Sequence, residues 1–466
     1  MTFLTSVLVG SVGGANAADL QDVYNSAMKN DVILGAAAAG LEARREAIPQ
    51  ARSALLPNLG AGASSSRISR SFPVGIVDTD PGSPTFGQEF GVPDQEFNDH
   101  GWQARLSQPL LDFESFYNWR SAKFVVEAAE ADFLATEQAV IVRVAQAYLN
   151  VLRAQALLEA SVAQEAAVQR QLEQVQQRFD VGLVAITDVL EAQAAYDGAV
   201  VTRVQAYGDH DIFFETLITL TGEAYAEIDG LSETLPIVNP EPANEEDWVN
   251  TALTTNLGIK AVTAQLESST RNLRARRSGH LPTIDATVNH SHFVTGGSAF
   301  LGGKTDQTSY GVSINLPIYQ GGFTHSRSKE ASAIVDQSKQ LLEDQIRTVR
   351  RDTRNLFRSV ATDVVRVGAR RKAITSTESA LEATETGYEV GTRNIVDVLR
   401  AQQTLYSSQF DYADSRYNYV IDLLALKQAV GTLDPEDLAE LNNFTDPTIP
   451  VVRQASLLSR SGNPGN

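Results

Sequence analysis

The sequence predicts an α+β protein with an internal two-fold repeat, four β-strands per chain and two very long helical hairpins. Three observations carry this reading. The stretch FDVGLVAITDVL (Phe179 to Leu190) returns as YEVGTRNIVDVL (Tyr388 to Leu399), with six of twelve positions identical. No proline occurs between Leu110 and Leu235 or between Ile318 and Asp434. Around the prolines that flank those spans, the apolar period changes from that of a helix to that of a strand.

The repeat extends well beyond the twelve residues. An offset of 209 places Leu220-Thr221-Gly222 on Ala429-Val430-Gly431, and one of 208 places Leu106–Leu110 on Ile314–Ile318. Further back the offset is 225, which aligns Leu56-Pro57 with Leu281-Pro282, so the first copy has a hairpin loop 17 residues longer. The expected organisation is a signal peptide over 1–17, repeats over 18–235 and 236–443, and a flexible C-terminal tail over 444–466. The signal peptide rests on the apolar run Phe3–Gly14 and the Ala15-Asn16-Ala17 cleavage pattern, although the usual basic residues are missing.

In each copy a strand pair follows an opening helix. Trp102, Ala104 and Leu106 alternate with Gln103, Arg105 and Ser107, and Ile284, Ala286 and Val288 with Asp285, Thr287 and Asn289. Tyr310, Val312, Ile314 and Leu316 do the same, while the strand starting near Asn58 has the weaker series Leu59, Ala61, Ala63. One face is therefore apolar and the other polar. The loops Ser65–Gly101 and His292–Ser309 are expected to be exposed.

Long helices follow. Residues Phe113 to Asp180, rich in Ala, Gln, Glu and Leu, would give about 100 Å of helix at 1.5 Å per residue. Gly182 and Gly391 suit the left-handed backbone that closes a helix, and a second helix returns after each.

Composition narrows the function. A net charge of −19 argues against nucleic acid, and the chain has no cysteine for thiolate chemistry. Mean hydropathy is −0.16, and no internal run is long and apolar enough for a transmembrane helix. His290-Ser291-His292 suits a strand end better than a metal site, and Gly302-Gly303-Lys304-Thr305 lacks the first glycine of a phosphate loop, since Ser298 stands there. No enzyme, cofactor or metal is expected. Soluble hairpins packed on helices remain open, as does a membrane barrel edged by aromatic residues such as Trp102, Phe113 and Tyr319. Four strands cannot close a barrel, and open edges are not tolerated in lipid. Membrane insertion therefore requires several chains, and three would supply twelve strands.

The tandem order of SALLPNLG, RFDVGLVAITDVLEAQ, HLPTID, LPIYQGG and GYEVGTRNIVDVLRAQ closely resembles the TolC family of outer-membrane exit ducts, over Ala18 to about Asn443. The resemblance implies a homotrimer in which a 12-stranded barrel in the outer membrane of a Gram-negative bacterium continues into a periplasmic α-helical barrel. It implies partners too: outer-membrane lipid, a periplasmic adaptor (membrane fusion protein) and an inner-membrane transporter of RND or ABC type. Carried over residue by residue, Tyr388 matches a latch tyrosine whose partners correspond to Asp188 and Gln171, and Arg393 matches an arginine that pairs at Thr187. Asp397 matches the acid of the constriction, with Arg400 one turn on where a second acid is usual. Val181-Gly182-Leu183 and Val390-Gly391-Thr392 match the adaptor-docking tips. The competing assignment is a soluble periplasmic coiled-coil adaptor or rod, which leaves the alternating strands unexplained.

Overall fold

A computed structural model describes residues 17–71, 76–90, 94–296 and 302–454. In chain order, α1 (Leu20–Asn30), α2 (Val32–Arg45) and α3 (Ala47–Ser53) lead into β1 (Asn58–Arg70). The short β2 (Ile76–Val77) and β3 (Glu89–Phe90) precede β4 (Gln95–Leu111), α4 (Phe113–Asp180) and α5 (Ile186–Thr221). Then come β5 (Glu227–Leu231), α6 (Glu245–Thr255), α7 (Leu257–Ser278), β6 (Thr283–Thr295) and β7 (Gly303–Asn315). The chain continues with α8 (Phe323–Glu389), α9 (Ile395–Val430), α10 (Pro435–Asn442) and β8 (Thr445–Val452). Helix α4 has the bounds expected from the sequence. The long helices have 68 and 67 residues, and the helices that return from them have 36 each.

The chain forms two compact units, and each draws on both halves of the sequence. One comprises 42–128 and 263–340. Its centre is an antiparallel sheet in the order β1-β4-β6-β7, where β4 and β6 join the two hairpins. Residues paired directly across strands share a face. Leu59, Leu106, Val288 and Tyr310 are thus neighbours on the apolar face, and Gly60, Arg105, Asn289 and Ser309 on the polar face. Below the sheet, small side chains let helices approach closely: Ser121 Oγ donates to Ser268 O at 2.9 Å, and the Ser269 and Ser338 hydroxyls lie 3.1 Å apart. Arg276 closes this layer on Glu114 at 2.8 Å.

The strands run further than the apolar pattern indicated. The loops expected over Ser65–Gly101 and His292–Ser309 are shortened, because β1 reaches Arg70, β4 starts at Gln95, β6 ends at Thr295 and β7 starts at Gly303. Polar cross-strand pairs extend the ladder where hydrophobic alternation stops: Arg67 with Glu96 at 2.5 Å, His290 with Thr308 at 2.8 Å and His292 with Asp306 at 2.5 Å. Both histidines are thereby partnered within the hairpin.

The other unit comprises 1–41, 129–262 and 341–466. Its core gathers Val140, Val144, Tyr148, Val151 and Leu152 of α4 with Phe214, Leu217, Leu424 and Leu426 of the returning helices. A small antiparallel sheet of β5 and β8 lies against this core through Ile228 and Val451, both buried. Tyr148, almost wholly buried, donates its hydroxyl to Asp229 O at 2.6 Å, and burial pushes its pKa up. Strand β8 corrects the expectation of a flexible tail from residue 444. Thr445–Val452 carries two prolines, which read as irregular, yet an edge strand tolerates them because the missing N–H groups can face away from the partner. The expected signal peptide falls, apart from Ala17, outside the described residues.

Two buried titratable groups mark this unit. Asp363 on α8 accepts from Arg366 at 2.5 Å, and its carboxyl shares a side-chain hydrogen bond with Asp422 of α9. Burial, and then the charge of Asp422, push its pKa up to about 6. His210 on α5 is fully buried against Phe214, with neither ring nitrogen partnered among the described residues, and burial pushes its pKa down.

Candidate functional site: the hairpin tips

Both long hairpins turn by the same backbone device. After α4, Gly182 takes φ 78°, its N–H donates to Phe179 O at 2.8 Å, and Leu183 N donates to Arg178 O at 2.8 Å. After α8, Gly391 takes φ 78°, its N–H donates to Tyr388 O at 3.1 Å, and Thr392 N donates to Gly387 O at 2.8 Å. This pair of bonds is the Schellman motif, which satisfies carbonyls that a helix end would leave bare. An added Cβ would meet nothing within 4 Å at either Gly182 or Gly391, so backbone conformation rather than space requires glycine there.

Space decides at Gly387 instead. A Cβ there would lie 2.8 Å from Cγ of Arg393, so the absence of a side chain lets the arginine stem fold against the turn. The corresponding position of the first hairpin is Arg178, whose guanidinium carbon stands 4.9 Å from the centre of the Tyr388 ring. At this position the two copies diverge, and the divergence creates both contacts.

The returning helices start differently. The Asn394 side chain caps α9 by accepting from Asp397 N at 2.9 Å, whereas Ala185, at the head of α5, has no side chain able to cap. A side-chain N-cap stabilises a helix by about 1 kcal/mol, so the first tip is held less tightly than the second. Val181, Leu183 and Val390 are each 70% exposed, which leaves apolar side chains at both tips.

A second, smaller core joins the two hairpins behind the tips. Val175, Val189, Tyr388, Ile395 and Val398 are buried together, flanked by Leu172, Phe179 and Leu381. Beside it is a cavity of about 890 Å³ lined by Arg170, Gln171, Arg178, Glu385, Tyr388 and Gln402, among others. Gln171 and Tyr388, assigned from the sequence to one latch, do border this one cavity. The Tyr388 hydroxyl is buried without a partner among the described residues, and so is the side-chain oxygen of Gln402. Leaving such a buried group without a hydrogen bond costs about 1–3 kcal/mol.

The other sequence-assigned residues lie nearby. Thr187 is exposed and donates to Asp188 Oδ1 at 3.4 Å. Arg393 reaches Asp397 Oδ2 at 3.7 Å, one turn along α9, rather than Thr187. Arg400 is exposed and has no ion pair among the described residues. Within one chain, then, the structure brings together Tyr388 with Gln171 and Arg393 with Asp397. Sequence reasoning missed Arg178, Gly387 and Gln402. The signal for the first two was present, since the repeat sets an arginine opposite a glycine; Gln402 gave none.

Hairpins of this length, packed together both in the core around Tyr148 and behind their tips, in a chain that also carries a four-stranded amphipathic sheet, define a class of outer-membrane duct. The chain belongs to the outer membrane efflux protein family, whose model matches residues 23–223 and 248–432. It is 34% identical to Outer membrane protein TolC of Vibrio cholerae over 448 residues, covering 95% of this chain and 97% of that one. It is 25% identical to Alkaline protease secretion protein AprF of Pseudomonas aeruginosa, over 94% of this chain and 90% of the other. The fold matches the Campylobacter jejuni CmeC outer membrane channel with a TM-score of 0.72 at 18% identity, covering 95% of each chain. It also matches the outer membrane protein VceC from Vibrio cholerae with a TM-score of 0.72, over 88% of this chain and 96% of that one.

Proposed function

We propose that this protein is the outer-membrane exit duct of a tripartite efflux pump or type I secretion system. Three copies would close a 12-stranded barrel and continue it as a periplasmic helical barrel, each chain contributing two tandem repeats. The observation that carries this reading is the pair of open edges, β1 and β7, on a sheet with one apolar face. Tyr310, Val312 and Ile314 of β7 are 79%, 67% and 70% exposed. In lipid, unpaired edges cost several kcal/mol for each bare backbone group, and closure with copies of the chain removes them. The matching lengths of the two hairpins support the tandem repeat.

At the periplasmic end, the tips Val181-Gly182-Leu183 and Val390-Gly391-Thr392 would meet the adaptor, with their exposed valines and leucine as the apolar contact. Tyr388 and Gln171, with Asp188, Thr187 and Arg393 of the hairpins that meet them in the trimer, would latch the closed state. The unpartnered Tyr388 hydroxyl supports this role, because a buried donor gains most from a bond supplied across a subunit boundary. Asp397 and Arg400 would line the constriction. Adaptor docking would open the gate by binding the open arrangement more tightly, with an RND or ABC transporter driving cargo.

Export restores the test to the cell. In a Gram-negative strain lacking its own duct but keeping transporter and adaptor, this chain should restore dye efflux or secretion of a type I substrate. Failure of both, with the protein present in the outer membrane, would overturn the reading.

A further inference from the structure

The polar face of the sheet carries one exposed aromatic ring whose seat is visible in the structure. Along β6 the residues of this face are Asp285, Thr287, Asn289, Ser291, Phe293 and Thr295. Phe293 pairs with Gly101 of β4 and Thr305 of β7, while the neighbouring pairs on that face are Gln103 with Ser291 and Arg105 with Asn289. Phe293 is nevertheless 39% exposed. A Cβ on Gly101 would lie 2.4 Å from Cδ1 and 2.9 Å from Cε1 of the ring. The ring therefore lies across strand β4 over the bare glycine, with its outer side open.

An acid stands beside it. Asp99 is on the same face of β4, two residues from Gly101 and so about 7 Å along the strand. It is half-buried, and one carboxylate oxygen accepts from Gly296 N at 2.9 Å, which ties the group to the end of β6. An aromatic face attracts a cation through its quadrupole, most strongly where water is partly excluded, and a carboxylate alongside adds charge attraction.

We propose that Phe293 is a specificity-determining residue of the duct, a stacking platform that, with Asp99, retains aromatic cations at the loop end of the barrel lumen. This rests on the reading that the polar face lines the lumen. Three chains would supply three platforms at one level. Phe97, on the same face of β4, is buried, so among the described residues Phe293 is the ring that this face leaves open to cargo with a flat apolar body. A purely structural alternative is that the ring only shields the Gly101 backbone, as aromatic residues do beside glycines in sheets.

Current block separates the two. Purified protein in a planar bilayer would be exposed, from the side of the sheet loops, to tetraphenylphosphonium and to tetraethylammonium as a non-aromatic cation of equal charge. Phe293→Leu keeps apolar bulk over Gly101 but removes the ring, and Phe293→Tyr restores a ring. The proposal expects tetraphenylphosphonium to block the parent channel, the block to weaken about threefold or more in Phe293→Leu and return in Phe293→Tyr, and tetraethylammonium to be indifferent to either change. Asp99→Asn should weaken block by both cations. A parent channel that tetraphenylphosphonium does not block, or equal block in parent and Phe293→Leu, overturns the proposal while leaving the duct intact. Absence of any channel overturns the duct reading and the proposal with it.

Discussion

The guanidinium of Arg178 covers the ring of Tyr388 at 4.9 Å and ties the end of the first long helix to the end of the second. Such a contact is worth about 0.5–1 kcal/mol at a partly exposed site, comparable to a single net hydrogen bond. The proposed gate would therefore be held by several weak contacts, each releasable by a docking partner.

Removing them should open it by degrees. Arg178→Ala is expected to raise uptake of a dye that does not cross the outer membrane modestly, and Tyr388→Phe combined with Arg393→Ser to raise it further. Each change deletes contacts without adding bulk. Dye uptake by intact cells measures the effect, and uptake equal to the parent's in both variants would mean the closed state is held elsewhere.

Arg400 alters the electrostatics expected at the constriction. It stands one turn beyond Asp397, on nearly the same face of α9, and the Arg393 guanidinium lies 3.7 Å from Asp397 on the other side. Like charges about 6 Å apart repel by roughly 0.7 kcal/mol in water and near 3 kcal/mol at an effective dielectric constant of 20. If Asp397 and Arg400 line the constriction, an arginine in place of a second acid would relieve like-charge repulsion in a closed neck and weaken a trap for multivalent cations. Arg400→Asp is expected to make the channel more cation-selective and more readily blocked by trivalent cations from the periplasmic side. Reversal potentials identical to the parent's would place Arg400 away from the lumen.

Asp363 and His210 give opposite responses to pH. The folded state raises the Asp363 pKa to about 6, through burial first and Asp422 second, so it favours the proton. That contribution is present below about pH 4 and is lost as pH rises through about 6. Asp363→Asn should therefore raise the thermal midpoint at pH 8 and change it much less at pH 4. Burial lowers the His210 pKa, so its contribution is present above about pH 6.5, the unfolded value, and is lost as pH falls through the folded one. His210→Phe should protect against unfolding near pH 5. Melting of the detergent-extracted protein from pH 4 to 8 reads both, and parallel curves for parent and variants would refute the assignments.

Much of the fold was legible because its signals are long or doubled. The span Phe113–Asp180 lacks proline and glycine, so helix had no local competitor over its whole length. The tips were legible because the Val-Gly pair recurs at equivalent positions with the same left-handed requirement. The strand ends were not, since Arg67–Glu96 and His292–Asp306 are polar pairs that hydrophobic alternation cannot register. Strand β8 was hidden by Pro447 and Pro450, and it is held by β5 rather than by local preference. The tip contacts at Arg178 and Gln402 depend on how two hairpins meet, which spacing along one helix does not encode.

The current carried by purified, detergent-extracted protein in a planar lipid bilayer tests the central claim most directly. If the chain is an exit duct, the particle has the mass of three chains, retains both helix and strand signals, and produces discrete single-channel steps that grow in the Tyr388→Phe and Arg393→Ser double variant. A stable monomer with intact strands that produces no steps, in parent and variant alike, would contradict it.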